Sequence, residues 1–274
     1  MAGFDLNAYL QRIEFSGRAV PDLKTLEQLH RLHPGAIPFE NLDTMLGKRV
    51  LIDIETIQDK LVARRRGGYC YEHNTLLQAA LAAIGFELLP LAARVVWNRD
   101  SGYQNPRTHM VLLVSVGTDR YLCDVGFGGA NMTKPLRFEP GAELTTPHAR
   151  FRLIEGDSDF AVEVLIQNRW RRAFEFDLQV QKPIDYEAMN HYVQSYPGSH
   201  FRSQLIVAIA DATGRSALNN NSLGRFEDGT CIEQRSLLTA EALYDTLIDR
   251  FGISLPADRN VTALLERVAA TPPK

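Results

Sequence analysis

"RTHMVLLVSVGTDRYLCDVGFGG", Arg107 to Gly129, reads as a β-hairpin running into a glycine-rich bend. Gly117 and Thr118 interrupt two apolar, β-branched runs, and a two-residue loop there pairs Val116 with Asp119. His109 then lies opposite Gly126, and Asp124 occupies the same face two positions away. That diagonal separates Cα atoms by about 7–8 Å, within reach of an imidazole–carboxylate hydrogen bond. A three-residue loop would put the two side chains on opposite faces. "GFGG", Gly126 to Gly129, reads equally as a strand-ending bend or as backbone that brings N–H groups to an anion such as a cofactor pyrophosphate. It fits neither the dinucleotide nor the P-loop pattern.

An imidazole oriented by a carboxylate is a general base, and the nucleophile it would serve stands in "RRRGGYCYEHN", Arg64 to Asn74. Leu76, Leu77, Ala80, Leu81 and Ile84 make one helical face stopped by Gly85, which starts a helix at Cys70. There, unpaired backbone N–H groups and the helix dipole favour a thiolate and can hold an oxyanion. Gly67 and Gly68 allow a sharp turn into the helix. The competing reading of Cys70 is an inert, buried thiol. A metal reading joins Cys70 and His73 to Cys123 and Cys231, but neither later Cys has a ligand partner at zinc-site spacing. We expect no metal, and His73 reads as an ordinary first-turn helix residue. With His109 and Asp124 on one hairpin face, the roles divide as Cys70 nucleophile, His109 acid–base and Asp124 orienter.

The rest of the chain sets limits. Its 274 residues are 45% hydrophobic and 23% charged, with 30 Lys and Arg against 33 Asp and Glu and a formal net charge of −3. A soluble globular protein follows, with no general attraction to nucleic acid or anionic membrane. No apolar run approaches the roughly 18 residues of a membrane span, and the N-terminus lacks a signal-peptide pattern. Three sparse cysteines suit reduced thiols, and a cytoplasmic location is expected. The first eighty-odd residues read as helical: leucines at 23, 26, 29 and 32 follow Asp22, and Ile54, Ile57 and Leu61 follow Asp53. Between them "HPGAIPFENLD" reads as irregular. "ELLPLAARVVW", "HMVLLVSV", "RYLCDV", "RFRLIE", "FAVEVLI" and "RWRRAFEF" read as strands of an antiparallel barrel or sandwich, with turns such as Gln167-Asn168 between them. Beyond about residue 200 the pattern mixes: "SQLIVAIA" suits a strand, and Leu243, Leu247, Ile248 and Phe251 a helix. The "TPPK" end reads as a frayed tail.

"IPFENLD" (Ile37 to Asp43), "RGGYCYEHN" (Arg66 to Asn74), "RTHMVLLV" (Arg107 to Val114) and "CDVGFGG" (Cys123 to Gly129) together resemble the arylamine N-acetyltransferases in order and spacing. After residue 150 the likeness is in type only. The resemblance implies an α+β fold: an N-terminal helical bundle (1–86), an antiparallel β-barrel (87–195) and a C-terminal α/β lid (196–274). Its cysteine core is related to papain-like proteases and transglutaminases. It implies acetyl-CoA as acetyl donor, with no metal or prosthetic group, and small aromatic amines, hydrazines or N-hydroxyarylamines as acceptors in xenobiotic metabolism. It also implies a ping-pong cycle through acetyl-Cys70 and a triad of Cys70, His109 and Asp124. Phe39, Phe127 and Phe201 would line the acceptor pocket, with core packing the alternative for each, and Gly126, Gly128 and Gly129 would lie near CoA. Glu40 and Arg66 would be structural, the Arg run pairing between domains. His73 stands where the family commonly has Leu, which bears on pocket polarity. The expected state is a monomer or homodimer.

Two other functions share these residues. One is a hydrolase or transglutaminase-like enzyme on a peptide or amide; papain-type enzymes place His about 130 or more residues after Cys, against about 40 here, which argues against papain itself. The other is a non-catalytic binding protein that keeps the fold.

Overall fold

The computed structural model describes residues 3–97, 105–255 and 258–272; Pro273 and Lys274 of the predicted frayed tail lie outside the described residues. The chain starts with five helices: α1 (Leu6–Arg12), α2 (Leu23–Ala36), α3 (Leu42–Met45), α4 (Ile54–Gln58) and α5 (Cys70–Ile84). Asp5, Asp22 and Asp53 cap α1, α2 and α4 by accepting from the N–H groups of Ala8, Thr25 and Thr56 at 3.0, 2.7 and 2.8 Å, contacts typically worth about 1 kcal/mol each. α2 runs through Pro34 to Ala36, so the segment expected to be irregular begins later. Pro34 lies in the last turn, where its missing N–H forfeits a single helical bond. A one-turn π segment, Asp59–Ala63, continues α4. α5 ends at Gly85, whose φ of 102° gives the left-handed stop.

Between α2 and α3 runs β1 (Phe39–Glu40). The barrel is built from β2 (Glu87–Val95), β3 (His109–Val116), β4 (Asp119–Cys123), β5 (Leu136–Arg137), β6 (Glu143–Thr145), β7 (Arg150–Glu155), β8 (Phe160–Ile166) and β9 (Arg169–Val180). They form one antiparallel sheet in the order β5-β4-β3-β2-β9-β8-β7-β6, and its edges meet where β5 touches β6 and β7. The sheet is therefore nearly closed. Gln167 and Asn168 both take positive φ, 48° and 59°, the backbone that a two-residue hairpin turn demands. Leu91, Val111, Leu113, Leu122, Phe151 and Phe174 fill the interior, while Met110, Leu112 and Val114 pack outward against the helical unit and α5. β3 is buried on both faces, which is why "HMVLLVSV" is almost continuously apolar.

α6 (Pro183–Ser195) leads out of the barrel to β10 (Ile206–Ala210), β11 (Arg215–Asn219), β12 (Ser222–Glu227) and β13 (Thr230–Ser236), followed by α7 (Ala240–Asp245) and α8 (Arg259–Ala269). These strands make a second antiparallel sheet, β1-β10-β11-β12-β13. Its core holds Leu205, Val207, Leu218, Leu243, Leu247, Phe251 and Leu265. β1 joins this sheet by pairing Phe39 with Ala208 and Glu40 with Val207. The helical stripe near the C-terminus is real at Leu243, Leu247 and Phe251, each 0% exposed, but Ile248 is 38% exposed. Among the described residues no helix is long and apolar enough to cross a membrane.

Candidate active site

The approach to Cys70 is fixed by close packing against "IPFENLD". Glu40 N–H donates to Gly68 O at 2.8 Å and Gly68 N–H to Pro38 O at 3.3 Å. A Cβ on Gly67 would collide with Pro38 O, and one on Gly68 would sit 2.6 Å from the Glu72 carboxylate. The two glycines therefore make room for neighbouring chain. Glu72 Oε2 accepts the Tyr69 N–H at 3.0 Å, holding the first turn of α5. Its Oε1 takes Lys60 at 2.7 Å, Lys60 bonds Asp43 at 2.7 Å, and Arg66 reaches Asp43 at 3.2 Å and Glu40 at 2.7 Å. Alternating charges thus link β1 to α5 under the surface. Removing one partner of a buried pair strands the other, at a cost of about 3–5 kcal/mol. These partners all lie within the first 72 residues, so Arg66 braces this part of the chain internally, while within the same Arg run Arg65 O accepts the Ser254 N–H at 3.3 Å from the C-terminal part. Arg64 is an exposed ion pair with Asp59.

The hairpin register has the expected form. Val116 pairs with Asp119, and the ladder runs to Leu112 with Cys123, so Asp124 is the first residue past it. His109 Nε2 donates to Asp124 Oδ2 at 2.6 Å, and the two residues are 2% and 0% exposed. Cys70, 4% exposed, lies beside the same ring, close enough to help raise its pKa. Because Nε2 is taken by Asp124, Nδ1 is the nitrogen left for sulfur. The Cys70 thiol also contacts Thr108 O at 3.6 Å. Burial pulls the His109 pKa down, but the charge and hydrogen bond of Asp124, with the contact to Cys70, outweigh it and push it up to about 10. Burial likewise opposes ionisation of Asp124, yet His109, Asn74 and the Gly126 N–H hold its carboxyl below the usual range.

Phe127 and Phe174 pack on the His109 ring, each 5.3 Å between centroids. Phe39 lies 6.2 Å from Phe201, and Phe201 meets Tyr69 edge-on at 5.7 Å. All three predicted pocket aromatics therefore surround the first turn of α5 and the hairpin end. A Cβ on Gly126 would come within 2.8 Å of Cys70 Cα; glycine is required there for packing on the nucleophile's helix. The loop's N–H groups are partly spent: Gly126 donates to Asp124 Oδ1 at 2.9 Å and Phe127 to Asn131 Oδ1 at 3.1 Å. Gly128 has φ +78° and lies against the Phe39 ring, while Gly129 faces open space.

His73 is not an ordinary first-turn residue. It is 1% exposed, stacks on Phe39 at 6.2 Å, and belongs to a buried chain in which Tyr9 Oη, His33 and His73 are bonded in series at 3.0 and 2.9 Å, with His73 Nε2 on Pro38 O at 3.2 Å. Pro38 O can only accept, so His73 donates to it, His33 donates to His73, and Tyr9 donates to His33. Burial holds His73 neutral, its pKa lowered to about 4, and pushes His33 well below the usual value. Sequence reasoning also passed over His30, whose Nε2 accepts the Asp124 N–H at 3.0 Å, and Asn74, which bonds Asp124 Oδ1 at 2.9 Å. The i, i+4 spacing of Cys70 and Asn74 carried a signal for the latter. No group of three metal-ligating side chains occurs among the described residues; Cys123 is buried and Cys231 exposed.

A family model described as N-acetyltransferase matches residues 22–260. An arylamine N-acetyltransferase of Mycolicibacterium smegmatis is 41% identical over 273 residues, covering 97% of this chain and 99% of that protein. One from Escherichia coli is 36% identical over 252 residues, covering 91% and 89%. The structure of Mycobacterium marinum arylamine N-acetyltransferase in complex with CoA superposes with a TM-score of 0.92 at 36% identity, covering 96% of this chain and 99% of that one.

Proposed function

The chain belongs to the arylamine N-acetyltransferase family, and from that premise we propose that it moves acetyl from acetyl-CoA to an aromatic amine in a ping-pong cycle through acetyl-Cys70. The observation that carries this reading is the 2.6 Å bond of His109 to Asp124 with Cys70 beside the same imidazole.

In the proposed cycle His109 takes up the Cys70 proton. The sulfur attacks the thioester carbonyl, and the oxyanion collapses to expel CoA sulfur, which leaves with the proton from His109. Acetyl-Cys70 and neutral His109 remain. The amine then attacks the acetyl carbonyl and gives its proton to His109, the Cys70 sulfur leaves, and the Cys70–His109 pair returns to its starting state. Oxyanion stabilisation contributes on the order of 100-fold or more per donor, and the start of α5 supplies backbone N–H groups where that charge develops. Arylamines are unprotonated at neutral pH and attack directly; hydrazines and N-hydroxyarylamines belong to the same acceptor class. Phe39, Phe127 and Phe201 form the apolar walls for the ring, and CoA runs beside Gly126, Gly128 and Gly129. The open space at Gly129 supports that path.

We place the units at 1–86, 87–195 and 196–274, the enzyme in the cytoplasm, and its state as monomer or homodimer. Mixing the protein with acetyl-CoA and measuring intact mass tests the reading: a gain of about 42 Da located on Cys70 is expected. Absence of that adduct under conditions where product forms would sink the ping-pong cycle.

A further inference from the structure

Asn74 follows Cys70 by one turn on the same face of α5 and is 0% exposed. Its side-chain amide is fully engaged: Nδ2 donates to Asp124 Oδ1 at 2.9 Å and to Met110 O at 2.7 Å, while Oδ1 accepts the Val125 N–H at 3.1 Å. A backbone carbonyl only accepts and a backbone N–H only donates, so the amide has one possible orientation. Met110 adjoins His109, and Val125 adjoins Asp124. One side chain therefore ties the helix that carries the sulfur to both strands of the hairpin, at the residues next to the base and its orienter.

We propose that Asn74 is a positioning residue for acetyl transfer, fixing the charge and direction of Asp124 and thereby the protonation of His109. With Asn74 and Gly126 donating to Oδ1, Asp124 stays ionised at full burial and presents Oδ2 to the imidazole. Without the Asn74 donor, a buried oxygen loses part of what replaces its hydration, the carboxylate binds protons more readily, and the imidazolium it supports weakens. The other titratable groups facing the pair are Cys70 and His73 on α5, His30 on α2 and Cys123 on β4. Burial keeps His30 and His73 neutral, with pKa values lowered to about 4, and raises the Cys123 thiol.

The inference rests on the triad reading above, and its test separates the two. In Asn74→Ala and the near-isosteric Asn74→Leu, the His109 ring is followed by NMR across pH, the rate of Cys70 acetylation is measured, and thermal unfolding is recorded in parallel. We expect the His109 midpoint to fall by about one pH unit and acetylation to fall about 10–100-fold, the loss typical when an orienting partner is removed. Asn74→Ser, which restores a donor, should recover part of both. A His109 midpoint unchanged within a few tenths of a unit and acetylation within twofold, with only the unfolding temperature lowered, would overturn the proposal and make Asn74 a packing brace. Should Asn74→Ala fail to fold, Asn74→Leu and Asn74→Ser distinguish the two roles by the same readouts. The NMR arm needs no acetyl donor, so it stands even if acetyl transfer itself fails.

Discussion

Two sets of buried histidines meet within the first turns of α5, and they hold opposite charge states. His30, His33 and His73 are at most 1% exposed and His109 is 2% exposed. The first three lie among helices without a carboxylate on their rings and are neutral, whereas His109 has Asp124 at 2.6 Å and is driven to about 10. Burial alone neutralises an imidazole; burial beside a carboxylate ionises it. One side chain at the hairpin end thus turns a buried neutral imidazole into a charged one.

The strongest way to break this comparison is Asp124→Asn, which should make His109 resemble its buried neighbours. Acetyl transfer is expected to fall by about 10⁴-fold, as when a triad carboxylate is lost elsewhere; a fall under tenfold would show that the carboxylate does not set the charge. The neighbouring buried network obeys the same rule for charges, so Arg66→Met, which strands Glu40 and Asp43, should lower unfolding free energy by about 3–5 kcal/mol in a denaturant titration.

The pH dependence of stability sharpens the contrast. His30, His33 and His73 have folded pKa values below the unfolded value of about 6.5, so their contribution is complete above that pH and is lost as pH falls toward 4. His109 has a raised folded pKa; its contribution is complete below about 6.5 and is lost as pH rises toward 10. Denaturation midpoints should therefore peak near pH 6.5, with a steeper acid limb because three histidines act there against one. Equal slopes would contradict the division. The smallest effect belongs to Tyr9→Phe, which deprives His33 Nδ1 of its donor: a loss of about 1–2 kcal/mol is expected, with acetyl transfer unchanged within twofold.

The hairpin was legible in sequence because a two-residue Gly117-Thr118 turn leaves no freedom in the count, and the count alone puts His109 and Asp124 on one face. The start of α5 was legible for a similar reason, an apolar stripe bounded by glycine. What stayed hidden depends on chain segments that meet only in space. His73 looked ordinary because its partners His33 and Pro38 come from α2 and the segment before β1. Asn74 gave little sign because two of its three partners are backbone groups of Met110 and Val125. In "GFGG" the glycines suggested free N–H donors, whereas Asp124 and Asn131 already occupy two of them. α6 went unread although Pro183 and Asp185 mark its start, the latter accepting the Lys182 N–H at 2.8 Å; its apolar pattern is weak. β11 to β13 were missed because β13 is exposed throughout and carries little alternation.

β1 is only two residues long, yet it is bonded to β10 along one edge and to Gly68 along the other, while the Glu40 side chain holds Arg66. The C-terminal sheet is stitched by this splint to the chain two residues before Cys70. Swinging that sheet away as a rigid door would break the same seam of hydrogen bonds that sets Cys70 in place.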